Sequence, residues 1–151
     1  MPSSQQDYLL RMMQQVAAAI ARMLRRKDAG DLIGARQELH AAIGELLGPS
    51  AQLAPLMDSR TASGLLSDAR MVVSWALLLR QDAELLHLTG HEVAAREVER
   101  RALELLLEAR MRSVELSAEA WSDLRLLQGR VDPELLTPRY TAALATLPQD
   151  A

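Results

Sequence analysis

The stretch Gly30–Leu47, GDLIGARQELHAAIGELL, returns sixty residues later as Gly90–Leu107, GHEVAAREVERRALELLL. Gly30, Ala35, Arg36, Ala42, Leu46 and Leu47 are matched by Gly90, Ala95, Arg96, Ala102, Leu106 and Leu107. In each copy a glycine closes one helix, and small residues five and twelve positions later let the next helix pack closely against its predecessor. The echo predicts an all-α chain made of helical hairpins.

Composition agrees with that reading. Leu (29) and Ala (24) supply about a third of the 151 residues, whereas Val and Ile total 10 and Phe is absent. Straight-chain and small residues favour helix over sheet. A chain of this length is expected to form a single domain, 1-151, burying about 70% of the surface it exposes when unfolded. There is no cysteine, which excludes disulfides, a thiolate nucleophile and cysteine-based metal sites. The first residues lack the charged and apolar regions of a secretory signal, so a cytoplasmic protein is expected. The most apolar window, Met71 to Leu79, is far shorter than the ~20 residues of a bilayer span and reads as a buried core helix. A net charge of −3 with interspersed signs argues against a nucleic-acid surface.

Along the chain, Ser3 with Gln6 or Ser4 with Asp7 offers a capping box for a first helix. Leu9, Met12, Met13, Val16, Ile20, Met23 and Leu24 form its apolar stripe, flanked by Ala17, Ala18, Ala19 and Ala21, which would let another helix approach closely. Gly30 ends this helix, Asp31 caps the next, and Gly48-Pro49 stops it. Asp58 or Ser59 opens a short helix. Ser67 or Asp68 opens a long one to about Thr89, apolar nearly all round its first half, that should be central. The helix after Gly90 carries Glu92/Arg96, Glu97/Arg101 and Glu108/Arg112 at i,i+4, the pattern of a solvated face. Ser117 caps a sixth helix closed by Gly129, and Asp132-Pro133 and Thr137-Pro138 announce a turn and a last helix to about Leu147.

Glycine, alanine at +5, a large apolar residue at +9 and alanine at +12 is the spacing of the second half of a tetratricopeptide repeat. Gly30, Ala35, Leu39 and Ala42 fit it in full, while the second copy carries Glu99 at the apolar position. With Asp7-Tyr8-Leu9-Leu10-Arg11-Met12-Met13 upstream, and with Glu45-Leu46-Leu47-Gly48 and Ala102-Leu103-Glu104 ending the two copies, residues 5 to 112 resemble an uncharacterised bacterial family of tetratricopeptide-like proteins. The resemblance implies two degenerate hairpins, about 5-48 and 68-112. It supplies no activity and no site residues. Two repeats leave apolar faces open, so the extra helices near 59-66 and about 117-147, acting together with a homodimer through the slim first helix, are expected to close the stack.

Chemistry is sparse. His87 and His91 are four apart, but Gly90 falls between them and Ala95 stands where a zinc-binding His-Glu-x-x-His would place its second histidine. No nucleophile motif, phosphate loop or dinucleotide fingerprint is present, so neither catalysis, a cofactor nor a metal is expected. The expected function is a non-catalytic module for protein interaction or scaffolding. Arg36 and Arg96, which recur at equivalent positions, are its candidate contacts with a protein or peptide partner. The alternative is a small-molecule-sensing domain with an apolar pocket beside Trp75 or Trp121.

Overall fold

Three glycines punctuate the chain where the backbone needs positive φ: Gly30 (81°), Gly48 (55°) and Gly90 (81°). The first and third close their helices with one pattern. Gly30 N–H donates to Lys27 O (3.0 Å) and Asp31 N–H to Arg26 O (2.8 Å); Gly90 N–H donates to His87 O (3.1 Å) and His91 N–H to Leu86 O (2.8 Å). This paired bonding satisfies carbonyls left over at a helix end and favours a residue without a Cβ. The sixty-residue echo is therefore a repeated turn as well as a repeated sequence.

The computed structural model describes residues 4–149. Among them are seven α-helices and no strand: α1 (Ser4–Asp28), α2 (Leu32–Leu47), α3 (Ser59–Gly64), α4 (Ala69–Leu88), α5 (Glu92–Met111), α6 (Ala118–Arg130) and α7 (Pro138–Ala145). Short 3-10 turns at Gly48–Ser50, Ala54–Leu56 and Pro133–Leu135 fill the connections. Asp31, Asp58, Asp68 and Ser117 cap the helices that follow them by accepting from backbone N–H groups. The capping box at Ser3 lies outside the described residues. Gly129 does not stop α6, which continues to Arg130 and ends as Val131 turns extended.

Helix directions follow from which side chains meet. Arg22 and Arg26 near the end of α1 pair with Glu38 at 2.9 and 3.0 Å, while Met12 lies near Glu45, so α1 and α2 are antiparallel. Arg36 on α2 reaches Asp82 on α4 at 2.8 Å, whereas Leu47 lies by Trp75, so α2 and α4 are antiparallel too. α1 and α4 thus run side by side in the same direction. α5 returns along α4, and α3, α6 and α7 pack against α5.

One continuous core joins all seven helices. α4 packs against α1, α2, α5 and α6, as its apolar circumference requires, and buries Val72, Trp75, Ala76, Leu78, Leu85 and Leu86. Leu39, Leu103, Leu105, Leu106, Leu107, Leu124 and Leu127 are fully buried, each worth about 1.5–3 kcal/mol relative to exposure.

The solvated face expected of α5 holds for Glu92, Arg96, Glu97 and Arg112, which are exposed, and fails at Glu108, which is buried. Glu99 and Glu104 are buried as well, and Glu97 and Glu108 pair with residues other than the i,i+4 arginines read from the sequence. Glu108 instead accepts two hydrogen bonds from Arg139 at 2.8 Å and one from the Tyr140 hydroxyl at 2.7 Å, both on α7. Burial pushes the Glu108 carboxyl up, but these donors outweigh it and hold it below the ordinary carboxylate range. Glu104 accepts from Ser59 at 2.6 Å and Arg100 at 3.0 Å. Glu97 pairs with Arg100 rather than Arg101, and Arg112 donates to the carbonyls of Ser63 and Leu66. α5 is an ionic spine to which the short helices are fastened.

Candidate functional site

An apolar groove of about 500 Å³ opens between α1 and α4. Its walls follow from helix geometry. α1 buries Leu9, Met12, Val16, Ala19 and Met23, but Met13 and Leu24, which the sequence pattern places in the same stripe, are 41% and 42% exposed. They lie about one residue's rotation, ~100°, round the helix from the buried positions. Together with Ala17, Ile20 and Ala21 they form one wall, Val73 and Leu77 of α4 form the other, and Val114 closes one end. Arg70, Glu115 and Glu119 stand on the rim. α5 ends beside the start of α4, so the turn carrying Val114 and Glu115 sits at the end where α1 begins.

A second cleft, of about 540 Å³, opens between α2, α4 and α5 beside Trp75. Trp75 is 2% exposed and shows the cleft little surface. The Arg101 guanidinium lies 5.9 Å from its ring centroid. The polar groups of this cleft are engaged with one another or with the backbone. Asp82 accepts from Arg36 and hydrogen-bonds the His40 ring at 3.2 Å, and Arg101 donates to the carbonyls of Pro55 and Met57. Burial raises the Asp82 carboxyl, yet His40 and Arg36 together bring it below its ordinary value.

Arg36 and Arg96, the repeated arginines, are not brought together. Arg36 is half-buried and tied to Asp82, whereas Arg96 is exposed and lines a third cleft with Glu84, His87, Glu92, Glu99 and Arg130. There the buried Glu99 accepts from His87 Nε2 (3.0 Å) and Arg130 (3.1 Å), and Glu92 meets His87 Nδ1 (2.8 Å). The Glu99 carboxylate, then that of Glu92, raises the His87 imidazole above its ordinary pKa against the effect of burial. Trp121 is half-buried, with the Arg110 and Arg125 guanidiniums 4.8 and 5.4 Å from its ring centroid. The two tryptophans thus have separate surroundings.

Among the described residues, no group of three or more His, Cys, Asp and Glu could hold a metal ion, and no helix is long and apolar enough to cross a membrane. Sequence reasoning missed the exposed wall of α1 because it merged two stripes into one. The signal was the run of adjacent apolar pairs, Leu9-Leu10, Met12-Met13 and Met23-Leu24, which is wider than one buried face needs. No family model, curated protein or solved structure matches this chain.

Proposed function

We propose that the chain is a non-catalytic protein-interaction module, built from two tetratricopeptide-like hairpins, that receives a helix in the groove between α1 and α4. The observation that carries this reading is the groove itself: an apolar channel between two parallel helices, with Met13 and Leu24 exposed on one wall and charged residues on the rim. An amphipathic helix lays its apolar face into such a channel. The matching turns at Gly30 and Gly90 and the packing of α4 against α1, α2 and α5 support the hairpin reading.

Selection of displayed amphipathic-helix libraries on the folded protein tests it. Binders are expected that lose affinity when Met13→Asp or Leu24→Asp is introduced, with helical content unchanged by circular dichroism. A selection yielding only binders indifferent to both substitutions overturns the reading.

The volume beside Trp75 favours a second reading, a small-molecule site, since ligand pockets begin at about 300 Å³. The mutual pairing of its polar groups weighs against it. A Trp121→Phe variant leaves Trp75 as the sole tryptophan, and a ligand library that shifts its emission would favour this alternative.

A further inference from the structure

α1 carries two apolar seams of the same period. The inner one, Leu9, Met12, Val16, Ala19 and Met23, is buried against the chain's own core. The outer one, Leu10, Met13, Ala17, Ile20 and Leu24, also advances by alternating steps of three and four residues. Leu10 is 54% exposed, Met13 41% and Leu24 42%. That alternation keeps a seam facing a second helix along its length. From Leu10 to Leu24 it runs about 21 Å.

We propose that the outer seam is occupied by α1 of a second copy of this chain, running antiparallel, with the two-fold axis beside Ala17. The proposal rests on the groove being a helix-docking surface and names its occupant. Turned about Ala17, the seam is self-complementary, as a two-fold interface must be. Leu10 meets Leu24 of the other copy, Met13 meets Ile20 and Ala21, and the small Ala17 side chains face each other where the helices cross.

Charge sets the direction. The groove end where α1 begins carries Asp7, Glu115 and Glu119 and one base, Arg70, which is already paired with Asp68, while the last turn of α1 carries Arg25, Arg26 and Lys27 against a single acid, Asp28. Arg26 is engaged with Asp31 and Glu38, but Asp7, Glu115, Glu119, Arg25 and Lys27 have no side-chain partner among the described residues. Arg11 lies on the far side of α1 from the seam. Antiparallel pairing brings Asp7 on one flank opposite Arg25 of the other copy. On the α4 flank it brings Glu115 and Glu119 opposite Lys27, and the symmetry repeats both contacts. Parallel pairing would gather the basic turns of both copies at one end and the acids at the other. Flanking charges of this kind decide partner orientation in paired helices.

Light scattering on the eluting protein at tens of micromolar is expected to give the mass of a dimer. Ala17→Glu, an exposed helical position, is expected to weaken association by about 30-fold or more while leaving the circular dichroism spectrum unchanged. Because the chain has no cysteine, introduced thiols report orientation cleanly. A mixture of Leu10→Cys and Leu24→Cys chains should oxidise to a mixed disulfide dimer, with little linkage of either variant to itself. A monomer at tens of micromolar, a dimer indifferent to Ala17→Glu, or Leu10→Cys linking chiefly to itself each overturns the proposal. If the protein is a monomer whose groove still binds displayed helices through Met13 and Leu24, the occupant is another protein and the docking reading stands. If neither self-association nor helix binding occurs, both fall.

Discussion

At the ninth position after the turn glycine, the two hairpins differ: Leu39 in the first, Glu99 in the second. Both side chains are buried, Leu39 as part of the hydrophobic core and Glu99 against polar partners. Leu39 contributes by filling space among aliphatic neighbours. Glu99 needs His87 from α4 and Arg130 from α6, so its burial is possible only where α6 has docked. The comparison teaches that a packing position can be exchanged for an ionic one when neighbouring helices bring the donors, and that the exchange makes the position choose its neighbour.

The severest way to break this comparison is to move the carboxylate to the copy that has no donors for it. Leu39→Glu is expected to cost about 4 kcal/mol, read from the urea midpoint, because an unpaired charge enters an aliphatic core. An effect under about 1 kcal/mol would show that Arg36 or His40 leaves Asp82 to serve it. The opposite exchange should be mild. Glu99→Leu is expected to stay within about 1 kcal/mol of the parent, whereas Arg130→Leu, which leaves the carboxylate with His87 alone, should cost about 2 kcal/mol.

A gentler probe is pH. His87 has a raised pKa in the folded state, so its pairing contributes fully below the unfolded value of about 6.5 and is lost as pH rises through the higher folded value. Urea midpoints measured from pH 5.5 to 8.5 should fall across that window, relative to a His87→Gln variant. Identical profiles for the two proteins would remove the pairing from the stability account.

The smallest effect concerns the caps of the two returning helices. Asp31 accepts from Gly34 N–H at 2.9 Å, whereas His91 makes no cap bond. A Cβ on Gly34 would stand 2.1 Å from an Asp31 carboxylate oxygen, and the second copy has Ala94 at the equivalent place. Gly34→Ala is therefore expected to be near neutral in the parent, its helix propensity offset by the displaced cap. In an Asp31→Ala background it should stabilise by about 1 kcal/mol.

The helices were legible because their signals are local. A glycine closes α1, α2 and α4 or follows them directly, and Asp31, Asp58, Asp68 and Ser117 occupy the caps expected of them. Gly129 misled because a glycine near a helix end need not be its terminator; the chain simply continues one residue further. The fate of the α5 carboxylates was not legible, since Arg139 and Tyr140 lie more than thirty residues from Glu108 and only the tertiary fold brings them to it. The groove was half legible. The slim first helix was visible, but burial divides its apolar residues into an inner and an outer set only once α2 and α4 have chosen a side.

The buried carboxylates of α5 also bear on how such a chain could lengthen over time. Stacks of helical hairpins grow by copying a unit and inserting it beside the last one, which succeeds when every unit shows its neighbour the same apolar face. Here the outer side of the last unit shows Glu99, Glu104 and Glu108, already matched to Arg130, Ser59, Arg139 and Tyr140. A duplicated hairpin inserted after α5 would meet three acids and bring copies of His87 and Arg100, but none of Arg130, Ser59, Arg139 or Tyr140. A helix pair packed on this side of α5 would have to displace Arg130, Arg139 and Tyr140 from the carboxylates they now serve.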